Sequence, residues 1–234
     1  MRIGLGQMEL KLGDIDFNIK QTQEILDAAR DDKVDIVFLP ELANSGYTFA
    51  SKEEAMNWSE EIPEGPYSKS LIDWSKNGGL VVAGINERTK EGLYNSAAII
   101  GDGRHLATYR KYNLFDPEKR WFLQGPSDQL VFEYKNITCG VIICVEWRYP
   151  ERTRKASELG AQLILHPVNS GARHYDTMCD LASENGVYIA SANRVGQEHD
   201  FKFTGGSAIF SPEGEIILEM DSRSHMLGWA DITI

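Results

Sequence analysis

Cysteine is scarce in this chain. Its 234 residues hold three, Cys139, Cys144 and Cys179, with no Cys-x-x-Cys spacing. So few, in odd number, argue against a disulfide framework or a zinc knuckle, and a reducing cytoplasmic setting is expected. Positive charge is also in short supply: 24 Lys and Arg against 35 Asp and Glu leave a formal net charge of −11 at pH 7. Such a surface repels nucleic acid and anionic membranes, so neither is an expected partner. No apolar run reaches the length of a membrane span, and residues 1–7 are too poor in apolar side chains for a signal peptide. No GxGxxG opens a helix, which argues against a simple dinucleotide-binding sheet. Repeats, low-complexity tracts and linkers are missing, and residues 1–234 are expected to form one domain.

What the chain has is alternation. Short β-like runs at 2–8, 34–39, 80–85, 95–100, 105–109, 130–134, 138–143, 162–166, 187–192, 206–210, 216–220 and 226–232 are interleaved with helical stretches at 16–30, 67–76, 151–159 and 175–186. In the first helix Phe17, Ile25, Leu26 and Ala29 form a roughly helical apolar stripe. Gly101-Asp102-Gly103 and Ser211-Pro212-Glu213-Gly214 have turn composition. Continuous apolar strands such as 34–39 imply sheets covered by helices, whereas the hairpins imply antiparallel pairing. A mixed two-sheet core with helices outside satisfies both.

Three polar residues stand just past strand ends. Cys144 follows the small and aliphatic run 140–143, and Pro150 marks a helix start soon after. A strand-to-helix turn projects a nucleophile outward, and a helix N-terminus favours thiolate over thiol. Equally, a free cysteine is often only a small buried hydrophobe. Glu41 follows an apolar strand and Pro40, where partial burial raises a carboxyl pKa and makes it a usable base. Lys111 follows the strand 105–109 and is suited to stabilise an oxyanion or depress a thiol pKa. Taken singly, Glu41 and Lys111 read as well as a solvated acid and a solvated cation.

Their joint order carries more. The segments LPELANSGY (39–47), YRKYNLF (109–115) and GVIICVEWRYPE (140–151) resemble the glutamate, lysine and cysteine segments of the nitrilase, or carbon–nitrogen hydrolase, superfamily. YNSA (94–97), HPVN (166–169), ANRVG (192–196) and GGSAIFSPEGE (205–215) support the resemblance, which spans essentially the whole chain. It implies an α/β fold, an α-β-β-α sandwich of two mixed β-sheets flanked by helices, with association into a homodimer or higher homo-oligomer. It implies Cys144 as nucleophile, Glu41 as general base, Lys111 as oxyanion partner and Glu118 as a second glutamate. Glu118 reads equally as an N-terminal helix acid after Pro117. No metal and no cofactor are expected. Among the departures from the family pattern, Asn113 stands where histidine is common, and Glu146 where aspartate is common.

The chemistry expected is hydrolysis of a small-molecule amide through a thioester. The Val145 N–H is a second oxyanion donor, and Tyr47, Trp147, Arg148 and Asn169 are candidate pocket residues by adjacency to the motifs. Arg148 suits a substrate carboxylate, as in an ω-amidase, or equally an ion pair with Glu146 or Glu151. N-carbamoyl amines and nitriles are further substrate classes. Rival readings are a papain-like pair with His166, a metal site from Cys139, Cys144 and His166, and a non-catalytic binding module.

Overall fold

Alternate residues of each central strand face opposite ways, and both directions are interior. In the computed structural model, which describes residues 1–234, Ile36 and Phe38 point into one apolar cluster while Val37 and Leu39 point into another. This two-sided burial is why the run lacks polar alternation.

The elements in chain order are β1 (Arg2–Gln7), α1 (Ile15–Asp31), β2 (Ile36–Phe38), α2 (Lys52–Asn57), α3 (Pro66–Ser75), β3 (Leu80–Arg88), β4 (Leu93–Gly101) and β5 (Arg104–Arg110). Then follow β6 (Val131–Tyr134), β7 (Ile137–Val141), α4 (Pro150–Glu158), β8 (Leu163–Val168), α5 (Tyr175–Asn185) and β9 (Tyr188–Asn193). The remainder is β10 (Val195–Glu198), β11 (Phe201–Thr204), β12 (Ala208–Phe210), β13 (Ile216–Glu219) and β14 (Met226–Asp231). One sheet has the order β14-β1-β2-β3-β4-β5 and the other β13-β12-β9-β8-β7-β6. Each keeps three parallel strands at its heart, β1-β2-β3 and β7-β8-β9, and antiparallel strands outside them.

Four layers result. Ile3, Leu5, Phe38 and Val82 from the first sheet meet Val141, Leu163, Leu165 and Ile209 from the second. On the outer face of the first sheet, Val37, Val81 and Ile85 pack against Ile25 and Leu26 of α1 and Leu71 and Trp74 of α3. On the outer face of the second, Ile164, Ile189 and Phe210 pack against Ala156 of α4 and Met178 and Leu181 of α5. The helices start where their sequences dictate: Asp14 accepts from the Phe17 N–H at 3.0 Å to cap α1, and prolines occupy the first turns of α3 and α4. This is the expected α-β-β-α sandwich.

The expected strands and helices are present with shifted ends. The strand expected at 34–39 is regular only over Ile36–Phe38, and the one expected at 138–143 ends at Val141. Its last residues already turn toward Cys144, so the nucleophile stands three residues past the ladder. Two features were not anticipated: the six-residue α2, too short to show a period, and the β10–β11 hairpin. Its turn uses His199 at φ +49°, without the glycine that signals such a turn.

Candidate active site

The carboxyl ends of parallel strands are where α/β sheets gather ligands. Here β2 leads into Glu41, β7 into Cys144 and β8 into Asn169, while β5 delivers Lys111 to the same end of the sandwich. The Glu41 turn lies hard against β3. A Cβ added to Gly84 would come within 2.4 Å of the Glu41 Cα and 2.5 Å of the Pro40 carbonyl oxygen. The Ala43 N–H donates to the Gly84 carbonyl at 2.8 Å and the Gly84 N–H to Pro40 at 3.1 Å. Only a residue without a side chain permits this approach.

Glu41 and Lys111 are fully buried and Glu118 nearly so, at 3% exposure. The Lys111 Nζ donates to Glu41 Oε1 at 2.7 Å and to Glu118 Oε1 at 2.9 Å. Asn95 donates through Nδ2 to the same two oxygens, at 2.7 and 3.3 Å. Glu118 Oε2 accepts from the Phe115 N–H at 3.1 Å. Glu118 therefore combines both of its sequence readings, helix-turn acid and partner of Lys111. Glu41 Oε2 has no hydrogen-bond partner. Burial pushes the Glu41 carboxyl up to about 7, against the pull of Lys111 and with the repulsion of Glu118. Burial works against the Lys111 ammonium, but Glu118 and Glu41 outweigh it and hold the lysine charged.

Cys144 opens a one-turn 3-10 helix, Cys144–Arg148, with its backbone at φ +44°. This left-handed conformation is strained for a side-chain-bearing residue and turns the thiol out of the strand direction. The Sγ lies 3.9 Å from the Asn169 carbonyl oxygen. Burial, then the charge of Glu41, pushes the thiol pKa up despite Lys111. That overturns the expectation of a thiolate favoured by a helix N-terminus. The long helix α4 begins only at Pro150, and a single 3-10 turn carries little dipole. The resting group is a thiol that needs a base.

Around Cys144 lies a cavity of about 160 Å³. All five residues proposed from the motifs line it: Tyr47, Val145, Trp147, Arg148 and Asn169. Phe115, His174 and Phe201 also line it, with Ser170 and Gly171, and were not anticipated. Asn169 Nδ2 donates to the Glu41 carbonyl at 2.8 Å, tying the cysteine and glutamate loops together. Burial, with Glu118 and Glu41 nearby, raises the Tyr47 phenol well above its ordinary range. Phe201 arrives on the β10–β11 hairpin. That hairpin's Glu198 accepts the Tyr47 and Thr48 N–H groups at 3.0 and 2.9 Å, and is itself held by the buried Arg194.

Arg148 is exposed, with its guanidinium 5.1 Å from the Trp147 ring centroid, and it enters no ion pair. The alternative pairing with Glu146 is ruled out because both oxygens of Glu146 are engaged elsewhere. Oε1 accepts from the Tyr109 hydroxyl at 2.8 Å, the Tyr112 N–H at 3.1 Å and the Asn113 N–H at 3.0 Å. Oε2 accepts from the Ile143 N–H and the Tyr109 hydroxyl, both at 2.8 Å. The Cys139 side chain sits in the core between the sheets. His166 is bonded to the backbone of Cys144 and not to its sulfur, so the papain-like pair does not form.

A family model described as carbon–nitrogen hydrolase matches residues 2–234. A protein called nitrilase in Pyrococcus abyssi is 33% identical over 236 aligned residues, covering 100% of this chain and 90% of the relative. A glutamine-dependent NAD(+) synthetase of Acinetobacter baylyi is 29% identical over 100% of this chain, which spans 44% of that longer protein. The crystal structure of an amidase from Nesterenkonia sp. superposes with a TM-score of 0.86 at 25% identity, covering 99% of this chain and 90% of that one.

Proposed function

The chain belongs to the carbon–nitrogen hydrolase family, and from that premise we propose that it hydrolyses a small amide to a carboxylic acid and ammonia or an amine. The observation that carries this reading is the buried Glu41–Lys111–Glu118 cluster beside Cys144, with one oxygen of Glu41 left free.

In this mechanism Glu41 takes the Cys144 proton as Sγ attacks the amide carbonyl. A carboxyl poised near neutrality both accepts and returns that proton. Lys111 and the Val145 N–H stabilise the oxyanion. Val145 lies in the first turn of its 3-10 helix, where N–H groups lack intrahelical partners. The protonated Glu41 then gives its proton to the departing nitrogen, and the C–N bond breaks to leave a thioester on Cys144. Glu41 next deprotonates a water, which attacks the thioester. The acid departs and the thiol reforms. Glu118 holds Lys111 between two carboxylates, and Asn95 donates to both.

Arg148 at the cavity mouth, unpaired, favours substrates that carry a carboxylate, as the monoamide of a dicarboxylic acid does. N-carbamoyl amines fit the same chemistry. A nitrile is the alternative substrate, and the Pyrococcus abyssi relative bears a nitrilase name. The amide is preferred because Glu41 supplies the proton that an amine leaving group needs. Ammonia release from glutaramate, α-ketoglutaramate, N-carbamoyl amines, aliphatic amides and matching nitriles is the direct test. A nitrile kcat/KM about tenfold above that of its amide overturns the amidase reading, and failure on every substrate favours a binding module.

A further inference from the structure

We propose that Glu146 is the positioning residue that fixes Lys111 relative to Cys144, and so aligns the oxyanion site with the nucleophile. The inference rests on the roles just assigned to those two residues.

One carboxylate collects donors from both catalytic segments. Two chain segments about thirty residues apart converge on it. From the lysine segment come the Tyr109 hydroxyl and the N–H groups of Tyr112 and Asn113, on either side of Lys111. From the cysteine segment comes the N–H of Ile143, the residue before Cys144. The Glu146 N–H also donates back to the Ile143 carbonyl at 3.1 Å, so Ile143 is gripped at both of its backbone polar groups. Glu146 has no exposed surface. Every short tether therefore ends one or two residues from a reacting group.

Two further facts separate this role from general packing. Cys144 holds a backbone conformation that persists only where its surroundings over-determine it, and Ile143 is its immediate support. The lysine segment is stiffened a second time through Tyr109, whose hydroxyl accepts from Arg152 Nη2 of α4 at 3.0 Å. The acceptor must serve both arms at once. An ionised carboxylate has two acceptor oxygens, whereas a glutamine has one and turns its NH₂ toward a segment that offers donors. Loss of one arm leaves the lysine loop free to shift by the fraction of an ångström that transition-state stabilisation does not tolerate.

The test compares two reactions of Cys144 in the whole protein. Alkylation by iodoacetamide forms an S–C bond and expels iodide, with the thiol proton going to Glu41, and it develops no oxyanion. Acylation by p-nitrophenyl acetate passes through a tetrahedral oxyanion and expels p-nitrophenolate. In Glu146→Gln the acylation burst should slow by about tenfold or more, the scale of a weakened oxyanion donor, while alkylation stays within about threefold of the parent. Lys111→Ala should show the same split, larger. An unchanged ratio of the two rates, whether both persist or both fall together, overturns the proposal. Should Glu146→Gln fail to fold, Tyr109→Phe removes one donor from the same carboxylate. It should give a smaller split of about threefold, and no split there overturns the proposal equally. Both probes read Cys144 directly, so a parent protein that turns over no amide would defeat the proposed function yet leave this comparison readable.

Discussion

His166 donates from Nε2 to the carbonyl oxygen of Cys144 at 2.9 Å, and its Nδ1 accepts from the Ser191 hydroxyl at 2.9 Å. The imidazole thus braces the backbone of the nucleophile without touching the sulfur. Burial lowers its pKa to about 4, so it is neutral at pH 7.

From this relationship, His166→Gln should keep kcat/KM within about tenfold of the parent, because an amide N–H can replace the Nε2 donor and no proton transfer is lost. Cys144→Ala should abolish turnover, whereas Cys139→Ala and Cys179→Ala should keep it. Ammonia release measures all four. Loss in His166→Gln as deep as in Cys144→Ala would reinstate a Cys-His mechanism.

The acid limb of kcat/KM should fall with an apparent pKa of about 7, since Glu41 must be ionised to accept the thiol proton. Lys111 stays charged throughout and adds no limb near neutrality. Glu41→Gln should remove the limb and lower kcat by about 10²–10⁴-fold. A limb that persists in folded Glu41→Gln would assign the base elsewhere.

The same carboxyl should set a slope in stability. Its folded pKa lies above its ordinary value of 4.5, so the folded state binds this proton more tightly than the unfolded state. Stability is therefore highest with the proton on, declines as pH rises from 4.5 to about 7 and levels off above that, losing on the order of 3 kcal/mol. Glu41→Gln lacks this slope. Its Tm advantage over the parent should grow between pH 5 and pH 8, as read by calorimetry, and an advantage that shrinks would contradict the sign.

Arg148→Ala should raise KM for glutaramate by about tenfold while leaving a neutral amide of equal length within about threefold, as expected for loss of an exposed carboxylate clamp. Equal effects on both substrates would place Arg148 outside substrate selection.

We also expect a homodimer. The helices α4 and α5 form the outer layer of the second sheet, and exposed Tyr149 and Leu159 flank α4 at its two ends. Two apolar side chains at opposite ends of a helix do not make a patch, so the expectation rests on the resemblance to the family. Sedimentation at micromolar concentration should show at least twice the 26.3 kDa chain mass. A parent that sediments only as monomer would exclude the dimer.

The order of Glu41, Lys111 and Cys144 was legible because each follows a short β-like run, two of them continuously apolar, and strand ends gather at one edge of a sheet. Tyr47, Val145, Trp147, Arg148 and Asn169 were legible by adjacency to those motifs, and the cavity brings them together. Glu146 was visible as an acid without a role. Three of its partners are backbone N–H groups, those of Tyr112 and Asn113 some thirty residues away and that of Ile143 close by, and backbone donors leave no pattern in sequence. Asn95 was seen only within a supporting motif, since one amide serving two carboxylates needs three dimensions to appear. Phe201 was missed with its hairpin, whose turn at His199 lacks the glycine or asparagine that announces a left-handed residue.

Cys144 occupies a backbone region where a β-carbon is unwelcome, and glycine would sit there more comfortably. Selection for stability alone would drift toward glycine at 144, so the presence of cysteine records a competing demand. The nucleophile is held open like a cocked spring by the tethers around it. The fold surrenders some of its own cohesion, on the order of 1–2 kcal/mol, to keep one sulfur aimed into the cavity.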